Sequence, residues 1–254
     1  MPATKASPPL LSENLETFLR LVGDADSVEL KLTVPDEDRS STAASLGVDP
    51  LEGRIRQVFF FDTPDLALDR AGLVVRARRT QGAPDDTVVK LRPVVPAELP
   101  REDRNHKDFV VEVDAMPGSY VCSGSFTGRL KAGGVSDAVG GQLPLRRLFS
   151  KRQRAFYAAH APMGLELDDL AVLGPINAFK VKVSPEGLGR RLAVELWFYP
   201  DGARILELST KCAPGDWFET ATEARDFLGG LGVELSGKQS TKTRTALEYF
   251  AALL

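Results

Sequence analysis

The chain has 254 residues, 43% hydrophobic and 26% charged, so it can build a core without cross-links, and its two cysteines, Cys122 and Cys212, exclude a disulfide framework. A net charge of −3 excludes a general field for gathering nucleic acid, and two histidines, His106 and His160, leave little for zinc or histidine chemistry. No apolar run approaches the roughly 18 residues of a membrane helix, and the cysteine usage points to a reducing, cytoplasmic setting.

Residues 1–9 lack the apolar core of a signal peptide and read as a flexible tail ahead of a single domain over 10–254. From residue 10 to 23, apolar residues recur at three- and four-residue steps, which predicts a helix, with Ser12 or Asn14 available near its start. The period then changes to two. Strands are predicted at 27–34, 56–62, 73–79, 87–92, 109–115, 148–158, 163–170, 178–183, 191–199 and 204–212. The last two flank Pro200-Asp201-Gly202-Ala203, a turn sequence, and form the most secure hairpin. Residues 95–108 and the glycine-rich 128–144 read as exposed connections.

Helical pattern returns near the C-terminus. Thr220 with Glu223 three residues on predicts a capping box. Gly232-Val-Glu-Leu-Ser-Gly237-Lys238-Gln239 nearly spells a phosphate-binding loop, but Gln239 stands where a metal-binding hydroxyl belongs, so it reads as a loop. A final helix over 242–254 carries an apolar stripe through Ala246, Leu247, Phe250 and Leu254; Gly237-Lys238 and Thr241-Lys242-Thr243-Arg244 add positive charge that could stand at a tunnel mouth, although a cationic helix start is usually just surface. So many strands between Gly, Pro and Asp clusters predict a barrel or sandwich, an all-β-dominated α+β fold with flanking N- and C-terminal helices.

Residues two apart on a strand share a face. Read that way, the strands present Glu29/Lys31, Arg76/Arg78, Lys90/Arg92, Glu112/Asp114, Arg152/Arg154, Glu166/Asp168 and Lys180/Lys182, with Glu195, Glu207 and Lys211 on the terminal hairpin. The opposite faces are apolar, as in Val28/Leu30/Leu32 and Val111/Val113. A sheet with one face in the core and one in water gives this alternation too. Sorting of the charges by sign, strand by strand, and the preference for arginine favour the other arrangement: a closed barrel with charged faces inward and apolar faces covered by the terminal helices. Cationic strands would then hold phosphate oxygens, and carboxylates without histidine or thiolate would hold a hard cation such as Mg²⁺, Mn²⁺ or Ca²⁺.

Phe60-Phe61-Asp62-Thr63-Pro64-Asp65-Leu66-Ala67-Leu68, followed by Ala71-Gly72-Leu73-Val74-Val75-Arg76-Ala77-Arg78, resembles the signature of the CYTH domain of the triphosphate tunnel metalloenzymes. The resemblance covers roughly residues 27–212. It implies a closed antiparallel barrel of about eight strands, and hydrolysis of inorganic tripolyphosphate or a small organic triphosphate with Mg²⁺ or Mn²⁺. It further implies Glu29, Lys31, Arg76 and Lys90 as the catalytic group. Substrate contacts would come from Arg78, Arg92, Arg152, Arg154, Lys180, Lys182 and Lys211, and metal ligands from Glu29, Glu112, Asp114, Glu166, Asp168, Glu195 and Glu207. The expected partner is a small triphosphate or polyphosphate, not nucleic acid or membrane, with the chain a monomer or homodimer. A non-catalytic polyphosphate- or nucleotide-binding module and an adenylate cyclase are the alternatives. The family's first strand reads Glu-x-Glu-x-Lys; here Ser27 replaces the first glutamate, while Glu29 and Lys31 remain.

Overall fold

The computed structural model describes residues 10–233 and 242–254, with side chains from residue 15 onward. The tail 1–9 and the Gly237-Lys238 segment therefore lie outside the described residues. Nine strands close into one barrel: β1 (Ser27–Val34), β2 (Arg54–Asp62), β3 (Leu73–Thr80), β4 (Asp85–Leu91), β5 (Phe109–Met116), β6 (Ser119–Leu130), β7 (Ala171–Val183), β8 (Leu192–Phe198) and β9 (Arg204–Cys212). Around the wall they run β1-β5-β6-β4-β3-β2-β7-β8-β9. All neighbours are antiparallel except β1 and β5, which pair in parallel from Ser27↔Glu112 to Leu30↔Ala115. The purely antiparallel expectation is amended there, and that one pair brings the two acidic strands side by side.

The outward faces are apolar, as the alternation predicts. Val28, Val75, Ala77, Val89, Val111 and Val113 pack under Phe18 and Val22 of the helix Leu10–Gly23 and under Phe156 and Tyr157 of the helix Lys151–His160. The helix Lys242–Ala251 behaves differently from expectation. Its Ala246 and Leu247 pack with Val58, Phe60, Val74 and Trp197; Val58 and Phe60 are in register with Arg78 and Arg76, and Val58, Val74 and Trp197 line the lumen, so this helix closes one end of the lumen rather than covering the outside. Apolar residues at lumen positions need an apolar partner, and the stripe supplies it; Leu254, at its end, is exposed.

Several elements depart from the sequence pattern. Residues 148–158 are not a strand. Ser150 accepts from the Gln153 backbone while the Gln153 side chain returns to Ser150 N, a capping box that starts the helix Lys151–His160. Buried Gln153 also donates to the carbonyls of Thr87 and Phe126, anchoring that helix on β4 and β6. Residues 163–170 form a turn and a short 3-10 segment, Leu167–Asp169, in place of a strand. Strand β6 and the helix Gly134–Val139, with Val135 and Ala138 buried, replace much of the expected glycine-rich connection. The two glycines of β6 have a packing reason: a Cβ at Gly124 would sit 2.8 Å from the Phe109 ring and one at Gly128 2.6 Å from Gln153 Oε1. The helix Trp217–Gly230 starts one turn before the expected cap, and buried Thr220 lies inside it, donating to Asp216 O. The β8–β9 hairpin forms as predicted, with Gly202 at φ 87°.

Candidate functional site

Inside the barrel lies a charged cavity of about 310 Å³. Of the charged positions predicted from strand alternation, Glu29, Lys31, Arg76, Arg78, Lys90, Arg92, Glu112, Asp114, Lys180, Glu195, Glu207 and Lys211 line it. The charged face therefore points inward. Five predicted positions do not reach it. Arg152 and Arg154 lie on the exposed side of their helix, Arg152 3.8 Å from Glu102 and Arg154 donating to Phe149 O. Glu166 is exposed, and exposed Asp168 is bound to Arg146. Lys182 continues the Lys180 row on β7 but is exposed beyond the cavity.

The lining falls into two walls. On one, Glu29 and Asp114 face each other across the parallel β1/β5 pair, with Glu112 beside Ser27. The three carboxylates can bring oxygens within 4.8 Å of one another. Lys31 stands between two of them, 3.1 Å from Glu29 and 2.8 Å from Asp114, and Lys90 lies 3.9 Å from Asp114. Lys211 is ion-paired to Glu112, which also accepts from Ser27 Oγ at 3.2 Å. Burial opposes ionisation of Glu29 and Asp114, but Lys31 outweighs it, with Lys90 adding its charge at Asp114, and both carboxyls fall below their ordinary values.

On the other wall, Glu195 and Glu207 are cross-strand partners on β8 and β9. Lys242, from the start of the closing helix, binds both, lying 2.7 Å from Glu207. Glu195 also takes Lys180 at 2.6 Å and Arg56 at 3.2 Å, and Trp197 Nε1 donates to it at 3.4 Å. Its burial would raise its pKa, but Lys242 and Lys180 hold it well below the ordinary carboxylate range. Next to it, Arg56, Arg76 and Arg78 crowd together. Arg78 is bound to Asp86 at 2.9 Å; Arg76 has no ion pair among the described residues. The Nε atoms of Arg56 and Arg76 are shut off from solvent with no hydrogen-bond partner. Burial, then Arg78, pulls the Arg76 guanidinium down to about 10.

Arg56 and Lys242 are the functional positions missed or only glimpsed in the sequence. Arg56 lies near the start of β2, between Ile55 and Gln57, two before Val58, which also lines the cavity, so the period-two rule contained it. Lys242 reaches the lumen only because its helix closes the barrel. The most specific motif, Asp62-Thr-Pro-Asp, lies outside the lining and braces a turn. Asp62 is buried and accepts from the backbone N–H groups of Thr63, Leu68 and Asp69 at 2.7, 2.8 and 3.0 Å.

The carboxylates make acid sensitivity a consequence of this site. Glu29, Asp114 and Glu195 have folded pKa values below their unfolded ones, so the stability they contribute is present above the unfolded values, 4.5 for the glutamates and 3.8 for the aspartate, and is lost as pH falls through the folded values. Denaturant unfolding should therefore give a free energy that is level between pH 7 and about 5 and falls steeply below about 4.5. An equally level profile down to pH 3 would contradict the ion pairing.

No protein-family model matches the chain, and no curated protein matches it in sequence. Solved structures do. The Hippeastrum protein HpAC1, named as a candidate adenylyl cyclase with a dominant triphosphatase activity, superposes with a TM-score of 0.61 at 16% identity, covering 87% of this chain and 95% of its own. A candidate adenylate cyclase from Bacillus halodurans superposes with a TM-score of 0.58 at 13% identity, covering 86% and 98%. Among the described residues no helix is long and apolar enough to cross a membrane.

Proposed function

We propose that this chain, which has a CYTH-type tunnel fold, binds the triphosphate group of a small molecule in its lumen and hydrolyses it with the help of a divalent cation. The charge balance of the lumen carries the reading. Nine lysines and arginines line it against five carboxylates, a surplus of four positive charges among the lining residues; among the described residues, Arg78 alone of these cations is met by a carboxylate from behind the lining, Asp86. Enclosed cations without partners are costly unless an anion completes them. Arginine forks suit several oxygens at once, and a linear triphosphate offers them.

The donor set fits a hard divalent cation. Glu29, Glu112 and Asp114 present carboxylate oxygens, with no thiolate or imidazole among the lining residues. These three would hold Mg²⁺ or Mn²⁺, which when bound supplies Lewis acidity at the phosphate oxygens. The chain's own residues do the rest. Arg56, Arg76 and Arg78 grip phosphate oxygens and stabilise charge building on them. Lys90 and Lys180 have pKa values lowered chiefly by burial and stand ready to take an anionic partner. Lys31 keeps Glu29 and Asp114 ionised and available. Glu195 and Glu207, each tied to Lys242, act as anchors for the cationic wall rather than as free metal ligands. The setting proposed is cytoplasmic, in keeping with two buried free thiols.

The test is release of phosphate from tripolyphosphate with Mg²⁺ or Mn²⁺, run beside ATP with detection of cyclic AMP. Phosphate release supports the proposal; cyclic AMP alone would replace it with a cyclase. Ser27 favours a second reading, a module that binds triphosphate without turnover, because it removes one carboxylate from the metal wall. Ser27→Glu should then raise Mn²⁺ affinity and metal-dependent phosphate release several-fold, since the new carboxylate stands beside Glu112 in the parallel register. Unchanged metal affinity in that variant would count against the placement of the metal wall.

A further inference from the structure

We infer that Lys211 serves as the built-in counter-cation of the three-carboxylate wall, excluding free divalent metal until a triphosphate draws it away. The inference rests on the triphosphate reading above. Glu29, Glu112 and Asp114 face Lys31, Lys90 and Lys211, so the wall is neutral with no metal in it. A free divalent cation would add two positive charges to a lumen that already has a surplus of four. The same cation arriving with a polyanion adds none.

Among the three lysines, Lys211 is the one that can yield. Lys31 and Lys90 have side chains only 17% and 21% exposed, whereas that of Lys211 is 54% exposed at the edge of the cavity. Its long flexible stem can swing without disturbing the β9 backbone, which pairs with β1 at Glu29↔Lys211. Lys211 is also the only cation ion-paired to Glu112 among the described residues. The other polar contact to that carboxylate, Ser27 Oγ, is neutral and leaves the charge to Lys211. Phosphate oxygens entering the cavity would offer Lys211 an equivalent partner and release Glu112 for the metal. The order of assembly is then anion first or metal–anion complex, never metal first.

Mn²⁺ binding, followed by calorimetry and by the electron paramagnetic resonance signal of free Mn²⁺, tests this on the full chain. Wild type, Lys211→Gln and Lys211→Arg are compared with and without imidotriphosphate, a non-hydrolysable triphosphate. Without the anion, K211Q should bind Mn²⁺ on the order of tenfold more tightly than wild type, with K211R close to wild type. In wild type the anion should tighten Mn²⁺ by a similar factor, and in K211Q by clearly less. Circular dichroism confirms that the variants fold. Equal Mn²⁺ titrations of wild type and K211Q without anion, or no Mn²⁺ binding in K211Q, would overturn the inference. If imidotriphosphate binds no variant while K211Q still gains Mn²⁺ affinity, the triphosphate reading fails and the blocking role of Lys211 stands.

Discussion

Arg76→Met is expected to lose roughly 10- to 100-fold in tripolyphosphate affinity, the loss of one or two charge-assisted hydrogen bonds. It should do so without loss of stability. In the free protein Arg76 has little support: its Nε is enclosed and unpaired, it forms no ion pair among the described residues, and burial together with Arg78 outweighs the attraction of Asp86 and Glu195. Methionine keeps much of the apolar stem while removing the guanidinium. The melting temperature of the free variant should therefore stay level or rise, while the shift produced by tripolyphosphate shrinks. This divergence separates a ligand-directed arginine from a structural one. Unchanged affinity would mean that the arginine wall is not where the anion sits.

Glu195→Gln should show the reverse pattern. Glu195 is buried and holds Lys242, Lys180 and Arg56. Neutralising it strands Lys180 and Arg56 and leaves Lys242 with Glu207 alone, and breaking buried pairing of this kind costs about 3–5 kcal/mol. Because Lys242 begins the helix that closes the barrel, the loss reaches the packing of Ala246 and Leu247 on Phe60 and Trp197. A large fall in melting temperature is expected. Tripolyphosphate should restore more stability to this variant than to wild type, since it brings back the missing negative charge. A melting temperature equal to that of wild type would show that the cluster contributes nothing to stability.

Much of this lumen was legible from residue spacing. Charges two apart on β1, β3, β4 and β5 gave its acidic and basic rows directly, because period-two alternation is local and sign sorting marks an enclosed face. Charge spacing alone does not distinguish a strand from a capped helix. Arg152 and Arg154 alternate as on a strand, yet Ser150-Lys-Arg-Gln153 is a capping box, and the helix won because its first backbone donors and its buried Gln153 are satisfied at once. Asp168 likewise follows Glu166 by two, but a 3-10 turn places both in solvent. Strand β6 gives no clear period-two signal because small residues and two glycines hide its alternation, and only the Phe109 ring and Gln153 explain those glycines. The parallel pairing of β1 with β5, which sets Ser27 beside Glu112 and Glu29 beside Asp114, joins segments 85 residues apart and left no local trace. Arg56 and Lys242 were obscured for a related reason: Arg56 follows Arg54 and precedes Gln57, Lys242 precedes Thr243 and Arg244, and the role of each comes from what the barrel brings opposite it.

The central claim is that the lumen is an anion site completed by a triphosphate. Calorimetric titration of tripolyphosphate into the wild-type chain, with chelator present to remove metal, tests it most directly. The surplus of positive charge predicts saturable binding of one equivalent per chain, weakened as salt is raised and accompanied by a higher melting temperature. No binding heat together with an unshifted melting temperature would contradict it.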